Sequence, residues 1–265
     1  MSDSTLPERL YKYQPFTTRA LENLKNRQIW FSAPIAFNDP FDCGTVAYDV
    51  EMTETEIQRL QEAMKKDARL RPDVRMTLES GMPTEHLRQQ VVNGARKELA
   101  QQIKYQREQC GVACFSECND DLLMWAHYAD GHRGFCLEFD STSEEFARFR
   151  RVTYRDSIPT LRVIDILLGS DVDIVESMLT TKNTVWSYER EWRGIHKQAN
   201  IRFTVDYRKL TGIYLGAAMP DVHKEIVCLL LDGSPTNIHV MEIREGHFHV
   251  TPSARLTYTR FDYTK

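Results

Sequence analysis

The chain has 265 residues, of which 42% are hydrophobic and 27% charged, with 34 Lys and Arg against 38 Asp and Glu and a formal net charge of -4. That length supports a full hydrophobic core, and the slightly acidic balance argues against a generally basic nucleic-acid binder. No window approaches the roughly 18 consecutive apolar residues of a membrane span, and the N-terminal MSDSTLPERLYKY lacks the apolar run of a secretory leader.

The six cysteines (Cys43, Cys110, Cys114, Cys118, Cys136, Cys228) have no disulfide framework spacing, so a cytoplasmic chain with no membrane contact is expected. In chain order, RLYKYQPF reads as a strand. TTRALENLKNRQIWFS reads as a helix with Thr17 as N-cap, a turn at Asn26 to Gln28, and a second strand. WFSAPIAFNDPFDC then breaks at Pro34 and Pro40. Asn38-Asp39-Pro40 is a turn signal, and Phe37 and Phe41 are expected to plug the loop into the core.

From Met52 to Gln109 the composition shifts to Glu, Gln, Lys and Arg. Thr53 and Glu56 have capping-box spacing, and Ile57, Leu60 and Met64 follow at helical intervals. A turn at Pro72 or at Gly81-Met82-Pro83 should lead to a second helix carrying Leu87, Val91, Ala95, Leu99 and Ile103. The expected organisation is one domain over residues 1–265, with residues 52–109 inserted as a helical pair. Their faces offer a homodimer or protein-partner surface.

CGVACFSEC reads as a short buried strand. NDDLLMWAHYADG reads as a helix capped by Asn119 or Asp120 and ended by Gly131. GFCLEFD follows as a strand with Phe135, Leu137 and Phe139 on one face. RRVTYRD is another strand. PTLRVIDILLGSDVDIVESMLTTK reads as helical with a break near Gly169. YEREWRGIHK and LTGIYLG are strands, MPDVHKEIVCLLLDG is a helix, and NIHVMEIR with HFHVTPSARL forms a hairpin turning at Glu245-Gly246. The sum is α+β: a mixed, mostly antiparallel sheet split by helical insertions.

Three constellations carry candidate chemistry. Asn38 and Asp39 offer polar tips on the aromatic loop, against the plainer reading of a rigid plug. In CFSECNDDLLMWAHYADGHRGFCLEFD, Asp and Asn at a helix start are explained by capping, whereas Trp125, His127 and Tyr128 are not. Cys114, Cys118, His127 and His132 lack zinc-knuckle spacing, and no metal is expected. In VWSYEREWRGI, strand alternation puts Glu189, Glu191 and Arg193 on one face and Tyr188, Arg190 and Trp192 on the other. That face is either a salt-bridged exposed edge or a Glu-x-Glu pair addressing a cleft.

Taken together, LYKY, IWFSAPIAFNDPFD, CFSECNDDLLMWAHYADGHRGFCLEFD and VWSYEREWRGI resemble a bacterial family known as domain of unknown function 2971. More distantly, their order resembles the plan of ADP-ribosyltransferase folds. That second resemblance implies NAD as substrate, with Lys12 on the first strand holding its ribose where those enzymes use His or Arg. It implies Ser116 on a middle strand and Glu191, with Glu189 beside it, on a late one, and an enzyme of toxin or phage-defence type. Tyr13, Trp125, Tyr128, Asn38, Asp39 and Arg193 complete the expected nucleotide pocket. Two other readings stand beside it: a non-catalytic sensor or interaction module working through the helices, and a metal-dependent hydrolase using Asp39, Asp42, Glu189, Glu191 and His127.

Overall fold

The computed structural model describes residues 5–44, 47–66, 84–168, 174–244, 246 and 249–256. The chain opens with β1 (Arg9–Gln14), α1 (Thr18–Asn26) and β2 (Gln28–Phe31). Thr17 caps α1 by accepting from Ala20 N at 3.3 Å, and Arg27 ends it in the left-handed region at φ 57°. A single 3-10 turn, Pro34–Ala36, precedes β3 (Ala47–Asp49), α2 (Glu54–Lys66) and α3 (Thr84–Gln109). The capping box at α2 is reciprocal. Glu56 Oε2 accepts from Thr53 N at 2.8 Å while Glu56 N donates to Thr53 Oγ1 at 3.3 Å. Ile57 and Leu60 pack with Val92, Leu99, Val163 and Ile164 into a small core of their own.

β4 (Gly111–Ser116), α4 (Leu122–Tyr128) and β5 (Phe135–Asp140) follow. The N-cap of α4 is Asp121, not Asn119 or Asp120: its carboxylate accepts from Leu123 N and Met124 N at 2.9 and 3.0 Å. Asp121 stands two and three residues before those amides, the reach a capping side chain needs. RRVTYRD is not one strand but two short ones, β6 (Arg150–Arg151) and β7 (Thr153–Arg155).

The expected long helix after Pro159 is also interrupted. Thr160–Arg162 forms β8, pairing in parallel with β3, before α5 (Val163–Leu167), α6 (Ile174–Thr180) and β9 (Thr181–Asn183), which pairs in parallel with β7. Tertiary pairing overrides local propensity in such short segments. A 3-10 turn, Thr184–Glu189, leads into β10 (Glu191–His196). The chain ends with β11 (Ile201–Thr204), β12 (Leu210–Leu215), α7 (Asp221–Leu230), β13 (Asn237–Ile243) and β14 (Val250–Arg255). The turns expected at Pro72 and Gly81-Met82-Pro83, the break at Gly169, the Leu87 side chain and Glu245 of the last hairpin lie outside the described residues.

Eight strands make one sheet in the order β14-β13-β12-β5-β1-β4-β10-β6. Among the described residues only β12 and β13, joined through α7, run parallel within it. Alternation decides what each face carries. Leu10, Phe115, Phe135, Phe139, Trp192 and Ile213 enter the main core, which α1 and α7 cover with Leu24 and Val227. Tyr13, Cys136, Tyr214 and Met241 face the other way, under Met124 and Trp125 of α4.

The sheet is not uniformly closed. β1 shares six register pairs with β5 but one with β4, Tyr11 opposite Ser116. Beyond that pair the two strands part. On the freed edge of β4, Val112 exchanges two backbone hydrogen bonds with Ser32, at 2.8 and 3.0 Å, so the chain leaving β2 fills part of the gap. The gap is where the main cleft opens.

Candidate functional site

A cleft of about 570 Å³ lies in the split. One wall comes from α1 and β2, with Arg19, Asn23 and Trp30. The other comes from Tyr128, Lys182, Glu189 and Glu191, and the floor from Lys12, Cys114 and Ser116. Sheet register explains the convergence. Tyr11, Ser116 and Glu191 sit at one level across β1, β4 and β10, so residues 75 and more positions apart become neighbours.

Glu189 and Glu191 do not share a face by strand alternation. Glu189 closes a 3-10 turn capped by Asn183, Arg190 turns the chain in the left-handed region at φ 43°, and the strand starts only at Glu191. Nor is the pair an exposed edge: Glu189 and Glu191 are each 3% exposed and Arg193 0%. A buried charge needs partners, and the Arg193 guanidinium has one for every N–H. Its Nε and Nη2 donate to Glu191 at 2.8 and 2.9 Å. Nη1 and Nη2 donate to Asp42, both at 2.8 Å, and Nη1 also reaches Leu179 O at 2.7 Å. Lys182 Nζ lies 2.5 Å from Glu189 and 3.3 Å from the same Glu191 and Asp42 oxygens that accept from Arg193 Nη2. Trp186 covers the ammonium at 5.1 Å.

The two glutamates therefore differ in chemistry. Burial alone would raise Glu191, but Arg193 and Lys182 outweigh it and hold its carboxyl well below the usual carboxylate range. Burial pushes Glu189 up to about 7, with Lys182 opposing and the negative Glu191 adding to the rise. Tyr128 Oη donates to Glu189 Oε1 at 2.6 Å, and Asn38 Nδ2 donates to Tyr128 Oη at 3.4 Å. One carboxylate is held as an anion while burial pushes its neighbour toward the neutral form, the kind of separation that acid–base sites use. Lys12 reaches across the split to donate to Cys114 O at 3.0 Å and lies 4.9 Å from the Phe115 ring centre. Its burial lowers the ammonium from its ordinary value, with Cys114 and Glu191 opposing.

Of the residues singled out in the sequence, Lys12, Tyr13, Asn38, Ser116, Tyr128, Glu189 and Glu191 line this cleft. Others are placed differently. The Ser116 hydroxyl donates to Glu189 O at 2.7 Å and accepts from Cys118 N at 3.2 Å, so it fixes the Glu-x-Glu turn at the cleft floor. Trp125 is fully buried behind Tyr13, edge to face at 5.2 Å, with Nε1 donating to Asn119 O, and no ring face is left for a ligand. Arg193, saturated by Asp42 and Glu191, holds the carboxylates and not a cofactor. Phe41 is 68% exposed and does not enter a core cluster, whereas Phe37 packs inward.

Asp39 caps Phe41 N at 2.9 Å and borders a second cleft, also about 570 Å³, beyond Asn38, Asp42 and Lys182. Those three residues line both clefts. His127 pairs with Tyr188 Oη at 3.0 Å. The metal-hydrolase set does not converge: Asp42, Glu189 and Glu191 bond Lys182 and Arg193, while Asp39 caps Phe41 N and His127 pairs with Tyr188. Among the described residues no group of three or more His, Cys, Asp or Glu is arranged to hold a metal ion.

Lys182 is the central residue that sequence reasoning missed. It sits in a three-residue strand with no motif around it. Only the excess of carboxylates in FNDPFD and YERE hinted that a buried cation was needed.

The model of a protein family described as a protein of unknown function, DUF2971, matches residues 124–194. That segment runs from α4, beneath the cleft, through Lys182 and both glutamates to the start of β10. No curated protein and no solved structure matches the chain. The resemblance carried by the motifs is borne out over residues 124–194, where the chain is similar to the DUF2971 family.

Proposed function

We propose that the cleft takes NAD and breaks its N-glycosidic bond, passing ADP-ribose to water or to an acceptor group. The observation that carries this reading is the pair Glu189 and Glu191, two cleft-lining carboxylates whose environments drive their protonation apart. Bond breaking sends the C1′–N electron pair to nicotinamide, which leaves neutral, and the ribose carbon gathers positive charge. The permanently ionised Glu191 stabilises that cation. Glu189, near neutrality, accepts the proton of the incoming hydroxyl as the new bond forms. Lys12 donates towards ribose hydroxyls as a point charge, without the planar fork that Arg would bring. Support also comes from β1, β4 and β10 being adjacent, which sets Lys12, Ser116 and Glu191 around one space. The chemistry needs a site in which water is limited and charges are fixed, and the saturated Arg193 network supplies the fixed charges.

Incubation with NAD, followed by chromatography of released nicotinamide, tests this directly. Release is expected from wild type and is expected to fall at least roughly a hundredfold in Glu191→Gln, the scale of removing a charge-stabilising group. Equal release by that variant, or none from wild type with or without added protein acceptors, overturns the reading.

A further inference from the structure

The end of the cleft away from the glutamates has a chemistry of its own. Arg19 stands in the first turn of α1, and its guanidinium lies over the Trp30 ring at 5.0 Å. Among the described residues no carboxylate is within ion-pair distance of Arg19, although the chain is net acidic. Stacking fixes the plane of the guanidinium and leaves its N–H edges available.

Two further polar groups at this end lack partners. The indole Nε1 of Trp30 is buried with no acceptor. Asn23, one helical turn after Arg19 and 8% exposed, has a side-chain oxygen with no donor. Both residues line the cleft, next to Thr17 and Ala20 at the start of the helix, where Thr17 caps Ala20 N and the amides of Thr18 and Arg19 precede the first helical hydrogen bond. No acidic side chain lines this end, where Gln14, Ser32 and Val112 complete the wall. Buried polar groups are almost always paired, so an orphaned indole donor on a cleft-lining residue, stacked with a cation that has no carboxylate partner, points to a ligand that accepts hydrogen bonds.

We propose that Arg19 and Trp30 form an anion subsite that holds the phosphate groups of the cleft's ligand. The assignment rests on the proposed NAD chemistry only for the identity of the whole ligand. The donors, the cation and the helix N-terminus all favour a phosphate whatever is attached to it. The Arg19 guanidinium and the Trp30 indole N–H donate to the phosphate oxygens from one wall of the cleft. The ligand then spans the split in the sheet, with its pyrophosphate against α1 and its reacting ribose at Glu189 and Glu191.

Inorganic pyrophosphate is the probe, titrated calorimetrically into wild type, Arg19→Glu and Trp30→Phe. Arg19 is exposed, so its reversal leaves the fold intact, which circular dichroism and melting confirm. Wild type is expected to bind, Arg19→Glu to bind roughly ten- to a hundredfold more weakly, as for lost charge-assisted hydrogen bonds, and Trp30→Phe to lose several-fold. No binding by wild type, or equal binding by Arg19→Glu, overturns the subsite. Nicotinamide release from NAD in the same preparations separates the two ideas. Arg19-dependent pyrophosphate binding without NAD cleavage keeps the subsite and removes the proposed reaction. Cleavage with Arg19-independent pyrophosphate binding does the reverse.

Discussion

Replacing Arg193 by Met tests the foundation of the site. The guanidinium makes two contacts to Asp42, two to Glu191 and one to Leu179 O, all at 2.7 to 2.9 Å. Charge-assisted bonds of this kind are worth about 1.5–3 kcal/mol each, but the wild-type gain is largely offset by the cost of desolvating three ions. What the variant loses is the compensation: Asp42 and Glu191 stay buried, facing each other, with Lys182 as the remaining cation. Breaking a buried pair in this way costs about 3–5 kcal/mol, a large fraction of the ~5–15 kcal/mol that holds a domain together.

Urea denaturation followed by circular dichroism measures it, and the midpoint of melting should fall by about 6–20 °C. The pH dependence gives the sharper test. In wild type the Glu191 carboxyl is held below its unfolded value, so its contribution is present at neutral pH and is lost as pH falls. Without Arg193 burial wins, the folded-state value rises, and the sign reverses. The variant regains stability as pH falls and Glu191 becomes neutral. The gap between the two proteins should therefore shrink from pH 7 to about pH 4, near the ordinary range of a glutamate. A variant within about 1 kcal/mol of wild type at neutral pH, or a gap equal at both pH values, refutes the reasoning.

The proton on Glu189 should govern activity. Nicotinamide release should rise with pH up to about 7 as the base form appears, and Glu189→Gln should abolish that limb. Because the same carboxyl is raised on folding, its stability contribution is largest at acid pH and fades as pH rises through about 7, which denaturation at several pH values reads. Tyr128→Phe removes a donor that holds Glu189 down, so the acidic limb should move to higher pH, at a cost of about 1–2 kcal/mol in urea unfolding. Trp125→Ala should destabilise by about 3–5 kcal/mol through cavity formation, without the selective weakening of nucleotide binding expected of a stacking residue.

Much of the framework was legible because it follows local rules. The Phe135, Leu137 and Phe139 alternation, the Thr53 and Glu56 box and the Thr17 cap are set by residues within a few positions of one another. β8 and β9 were not legible, since three-residue strands owe their shape to partners that are distant in sequence, Ala47 for Thr160 and Thr153 for Thr181, and adjacent only in space. At the site, the aspartates and glutamates could be found by their crowding, and the Glu-x-Glu pair by its spacing. The reason that Glu189 and Glu191 meet, a left-handed Arg190 between a 3-10 turn and a strand, departs from the alternation that sequence reasoning assumed. Lys182 left no local trace, and the cation–carboxylate balance it completes is a property of the folded interior.

The wall of Asn38, Asp42 and Lys182 between the two clefts has a consequence for kinetics. Space on one side is not space on the other, so a donor in the split of the sheet and an acceptor beneath Val185 and Trp186 do not exclude each other. Each occupant touches the same wall. An inhibitor of the second chamber should therefore lower the maximal rate without competing with the donor, and a two-substrate reaction should proceed through a ternary complex, giving intersecting and not parallel double-reciprocal lines.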